Sequence, residues 1–86
     1  MQSRVYKLTP AEVVSIQTAL NVHGNQGTFN PPDHDEITLG YSLSGLTPDG
    51  RQWLTLTILH EGFFEFAGMI WPRVDALMPP DAVPAN

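Results

Sequence analysis

The runs Ile37-Thr38-Leu39-Gly40-Tyr41-Ser42-Leu43-Ser44 and Trp53-Leu54-Thr55-Leu56-Thr57-Ile58-Leu59 decide the fold of this chain. Each alternates larger apolar residues with small polar ones at period two, the pattern of a strand with one buried face. Between them stands Thr47-Pro48-Asp49-Gly50, in which proline at the second place and glycine at the fourth favour a type I turn. The two runs therefore read as a hairpin with strands over about 37–46 and 51–59. Register follows from the same pattern, because a slip of one residue would put the two apolar sets on opposite faces. Closing the hairpin with Leu46 opposite Arg51 sets Leu43 across from Leu54, Tyr41 across from Leu56 and Leu39 across from Ile58. A three-residue loop closing Thr47 on Arg51 would oppose Leu43 to Thr55, and on this reading it is rejected.

A third run, Phe63 to Gly68, extends the hairpin into a three-stranded antiparallel meander, with the last strand over about 63–68. A three-residue loop of His60, Glu61 and Gly62 with a bulge at Gly62 makes Ile58 face Phe64 and Leu56 face Phe66. Ahead of the meander, Leu8-Thr9-Pro10-Ala11-Glu12-Val13 is a dense helix start: Thr9 as N-cap, Pro10 at the first helical position and Glu12 completing a capping box. Val13, Ile16 and Leu20 fall on one face, Val14 and Ala19 broaden it, and Gly24 offers a left-handed terminator, so the helix is expected over about 10–22. Arg4 to Leu8 can add a short strand at a sheet edge. Pro72 opens a second, short helix over about 72–78, with Val74, Leu77 and Met78 on one side. The expected architecture is an α+β domain over residues 1–78, followed by a flexible, proline-rich tail over 79–86.

Composition supports one core and limits the chemistry. At 86 residues the chain has room for a single domain, and with 42% hydrophobic and 15% charged residues it is apolar enough to fold. Nine acidic residues against four basic ones, for a formal charge of -5, argue against direct nucleic-acid binding, which rests on clustered Lys and Arg. The absence of cysteine removes disulfides, thiolate catalysis and cysteine-held metals. Nothing near Met1 resembles a secretory leader and no apolar window is long enough to span a bilayer, so the expected location is the cytoplasm, with no membrane partner.

Motifs that carry chemistry are missing. His23, His34 and His60 stand in no nucleophile elbow, no HExxH pair and no phosphate-cradling loop. The acidic cluster Asp33-His34-Asp35-Glu36, at the end of the long connection from Gly24 to Glu36, lacks the spacing of a calcium loop and reads as solvated. No catalytic residue, cofactor or metal is expected. Two features remain. One is that acidic loop, with Asp33, Asp35 and Glu36. The other is the second face of the meander, where alternation gathers Trp53, Leu59, Phe63 and Met69 among Ser42, Ser44, Thr55 and Thr57, a mixture resembling that of protein interfaces.

The resulting expectation is a small acidic non-catalytic domain that binds another protein, with the carboxylates meeting a basic or nucleic-acid-binding surface and Trp53 and Phe63 supplying apolar anchors. Inhibitors and antagonists, including phage blockers of bacterial defence complexes and immunity proteins, offer an analogy of size and charge only. A self-assembling structural subunit, such as a homodimer, and a small enzyme without a local motif are the alternatives.

Overall fold

The computed structural model describes residues 3–32, 35–59, 70–80 and 82. Its elements are β1 (Ser3–Leu8), α1 (Pro10–Ala19), β2 (Gln26–Phe29), β3 (Ile37–Ser44), β4 (Gln52–Ile58) and a short helix, α2, over 70–75. The four strands form one antiparallel sheet in the order β1-β4-β3-β2, so the class is α+β as expected.

The hairpin of β3 and β4 has the register argued from the sequence: Leu43 opposes Leu54, Tyr41 opposes Leu56 and Leu39 opposes Ile58. Its loop corrects the expectation. The Thr47 amide donates to the Arg51 carbonyl at 2.7 Å and the Gly50 amide to the Thr47 carbonyl at 2.9 Å, which is the three-residue closure rejected above. Ser44 nonetheless opposes Trp53, so Gly45 and Leu46 together face Gln52. This bulge absorbs the one-residue difference between loop and ladder, and Gly45 adopts the φ of 59° that such a kink favours.

The third meander strand, over 63–68, and the turn at Gly62 lie outside the described residues. The edge of β4 on which that strand was expected is taken by β1, which pairs from Ser3 opposite Thr57 to Leu8 opposite Gln52. The expected edge strand at 4–8 is therefore present and lies directly against β4.

The connection from Gly24 to Glu36 contains β2, an unforeseen strand that pairs Gly27 with Leu39 and Phe29 with Ile37. Its outward groups are also used. The Thr28 amide donates to the Leu20 carbonyl at 2.5 Å, and Gln26 exchanges backbone bonds with His23.

Helix α1 begins with the expected capping box: the Glu12 amide donates to Thr9 Oγ1 at 3.3 Å and the Thr9 amide to Glu12 Oε1 at 2.8 Å. It ends earlier than expected. Asn21, at φ 47°, takes the left-handed position, while the Val22 amide reaches the Gln17 carbonyl and the Asn21 amide the Thr18 carbonyl, a Schellman stop. Gly24 instead serves the turn from His23 to Gln26.

Val13 and Ile16 of α1, Leu20 at its C-cap, and Ile70, Trp71 and Val74 of α2 form one buried cluster with Tyr6, Leu8, Leu39, Tyr41, Leu54, Leu56 and Ile58. Both helices thus bury their apolar residues against the same face of the sheet. Val14 and Ala19, expected to broaden the helix stripe, are exposed. Helix α2 already includes Ile70 and Trp71, both buried, ahead of the expected start at Pro72, and Leu77 faces solvent. Ala82, within the tail expected to be flexible, joins the core, and its amide donates to the Pro79 carbonyl at 3.0 Å.

Candidate functional site

Cross-strand pairing sorts the remaining side chains onto the second face: Ser3, Val5 and Lys7 on β1, Trp53, Thr55 and Thr57 on β4, Thr38, Gly40, Ser42 and Ser44 on β3, and Gln26 and Thr28 on β2. None of these residues is buried, and no described element covers them. In the described part of the chain both helices lie on the opposite side of the sheet.

Two larger apolar side chains mark its ends. Trp53 opposes Lys7, whose ammonium stands 5.7 Å from the centre of the indole, a cation–π contact worth about 0.5–1 kcal/mol at an exposed site. The bulge lies alongside, since a Cβ on Gly45 would be 3.6 Å from Trp53 Cδ1. Leu59 follows the end of β4 and is 52% exposed. A Cβ on Gly40 would come 3.6 Å from Leu59 Cδ2 and 3.4 Å from Thr57 Cβ, so Leu59 leans over the smallest residue of β3.

Six positions of extended chain at about 3.3 Å each separate Trp53 from Leu59 by about 20 Å. Small side chains fill the distance. Ser3 Oγ and Thr57 Oγ1 are 3.0 Å apart, and Ser42 opposes Thr55.

Asp35 and Glu36 are exposed and lead directly into β3, at the end of the sheet where β4 finishes. Continued alternation assigns Glu36 to the same side as Thr38. The structure thus brings Leu59, Asp35 and Glu36 to one end and leaves Trp53 at the other, rather than collecting them in one patch. Asp33, Phe63 and Met69 lie outside the described residues. On β1, it is Lys7 that stands beside Trp53. The sequence reading missed Lys7 because its place depends on β1 pairing with β4; the alternation of Val5 and Lys7 with Tyr6 and Leu8 was the available signal.

Titratable groups with displaced protonation have structural explanations. Burial first, and then its bond to Asp75, push the Tyr6 hydroxyl well above the usual tyrosine range. That hydroxyl donates to Asp75 Oδ1 at 2.5 Å, while Arg4 Nη1 meets Asp75 Oδ2 at 2.6 Å and the guanidinium lies over Trp71. The three side chains clamp α2 to β1. In the hairpin turn, a bond from the Thr47 hydroxyl holds the Asp49 carboxylate below its ordinary range. His23 is exposed. His34 and His60 lie outside the described residues, and among the described residues no three His, Asp or Glu side chains are grouped to hold a metal.

Compared with protein families, with curated proteins and with solved structures, the chain matches none. Among the described residues no helix is long and apolar enough to cross a membrane.

Proposed function

We propose that this chain is a non-catalytic binding domain that acts by occupying surfaces of other proteins, with the open sheet face and the acidic end of β3 as its two contact regions. The observation that carries this reading is the sheet face itself: an array rich in hydroxyl side chains with Trp53 and Leu59 at its ends and no described element over it. Aromatic anchors among small polar residues suit a docking surface. The formal charge of -5 and the exposed Asp35 and Glu36 favour a partner whose contact patch is basic, such as a protein that holds nucleic acid. On this reading the chain is an inhibitor or antagonist of that partner, acting in the cytoplasm.

The test uses partner recovered from the native host by tagged wild-type chain and then titrated in purified form. Changing Asp35 and Glu36 to Lys is expected to weaken binding at least about tenfold and to reverse its salt dependence. Unchanged affinity and an unchanged salt slope would eliminate the basic patch from the proposal.

A further inference from the structure

We propose that Asp49-Gly50, in the hairpin turn, is a latent isoaspartate site and that Thr47 keeps it closed in the folded chain. Of the seven glycines in the sequence, Gly50 alone follows an aspartate, and none follows an asparagine. With no side chain on Gly50, its amide nitrogen can approach Asp49 Cγ closely. The reaction needs only water. Starting from the neutral acid, the Gly50 nitrogen bonds to Cγ, the carboxyl hydroxyl leaves with the amide proton as water, and a five-membered succinimide remains. Water then returns to one of the two imide carbonyls. Opening at Cγ restores aspartate. Opening at the Asp49 main-chain carbonyl leaves a chain that runs through Cβ and Cγ, one atom longer, with the α-carboxylate as its side group.

Packing does not protect this pair. The Asp49 side chain is 61% exposed, and a Cβ built on Gly50 would meet nothing within 4 Å, so neither water nor the closing ring is excluded. The restraint is polar. The Thr47 hydroxyl donates to Asp49 Oδ1, and Arg51 Nε stands 3.5 Å from Oδ2. The Gly50 amide, the nucleophile of the reaction, is engaged by the Thr47 carbonyl at 2.9 Å, the closing bond of the turn. Thr47 therefore holds both reacting groups, one through its hydroxyl and one through its carbonyl. Its Oγ1 also accepts from the Arg51 amide at 3.0 Å, which fixes the hydroxyl in place. The bond to Asp49 keeps the carboxylate below its ordinary range, so the neutral acid that can lose water is scarce.

Conversion would alter the loop where it has least slack. The Thr47 amide closes on the Arg51 carbonyl at 2.7 Å, and the bulge at Gly45 and Leu46 already reconciles that closure with the ladder beside Trp53. One more backbone atom between Thr47 and Arg51 upsets that match.

The test incubates purified chain at mildly acidic pH, folded and in urea. Product is read by mass spectrometry after digestion with an endoprotease that cuts before aspartate but not before isoaspartate. The chain in urea is expected to convert, and the folded wild type to convert at least about tenfold more slowly. Thr47→Val, which removes the hydroxyl, should raise the folded rate at least about fivefold and leave the rate in urea unchanged. Thr47→Ser restores the hydroxyl and should stay slow, and near-ultraviolet circular dichroism checks that each variant is folded. The proposal is overturned by an unfolded chain that forms no isoaspartate, or by a folded wild type that converts as fast as the unfolded one. It is equally overturned by a folded Thr47→Val as slow as wild type, or a folded Thr47→Ser as fast as the unfolded chain.

Discussion

Gly27 shows how closely α1 is seated on the sheet. A Cβ there would lie 3.1 Å from Leu20 Cβ and 3.2 Å from the Leu20 carbonyl oxygen, and backbone cannot swing away as a side-chain tip can. Gly27→Ala is expected to destabilise the fold by about 1–3 kcal/mol in urea titration, the usual cost of overpacking. Tyr41 presents the opposite case. Its hydroxyl is buried with no hydrogen-bond partner among the described residues, which leaves its desolvation uncompensated by them. Tyr41→Phe should leave stability unchanged or raise it by about 1 kcal/mol, and a fall of that size would mean the hydroxyl is satisfied in solution. Tyr6 supplies a pH dependence. Its folded pKa is raised, so its contribution to stability is complete below the unfolded value of about 10 and is lost as pH climbs through and beyond it. The urea midpoint should fall across that range, and Tyr6→Phe should flatten that part of the slope while also losing the bond to Asp75.

At the scale of elements, the hairpin carries the clearest lesson about legibility. Its register could be read because Leu39, Tyr41 and Leu43 must share a face with Leu54, Leu56 and Ile58, and only one alignment allows it. The bulge could not, since Ser44-Gly45-Leu46 has no periodicity of its own and two good turn closures competed for one ladder. The three-residue closure and the ladder were reconciled by inserting a residue. Gly45→Ala should cost about 1 kcal/mol, mainly from the left-handed backbone, because Trp53 Cδ1 at 3.6 Å leaves ordinary room for the added methyl. Strand β2 escaped notice for another reason. Gln26-Gly27-Thr28-Phe29 has weak strand preference, and what fixes it is tertiary: the bond from the Tyr41 amide to the Asn25 carbonyl and that from Thr28 to the end of α1. The stop of α1 at Asn21 rather than Gly24 reflects the tolerance of asparagine for the left-handed region.

For the molecule as a whole, β1 completes a sheet whose other strands are distant in sequence. It supplies Tyr6 and Leu8 to the core and, through Arg4 and Tyr6, holds α2 by Asp75. Deleting residues 3–8 should therefore abolish cooperative unfolding and the near-ultraviolet circular dichroism, whereas a native signal would show that β4 tolerates an open edge. The candidate site was half legible at this scale. Period two placed Trp53 with Leu59, but the distribution of charge required the long-range pairings that only the folded chain supplies. The closure of β2 carries a further consequence. Because Gln26 spends its outward amide and carbonyl on His23 and Thr28 its outward amide on the Leu20 carbonyl, a molecule arriving side-on at that strand finds most of the row of bonds already taken. Growth into filaments along that edge is thereby disfavoured.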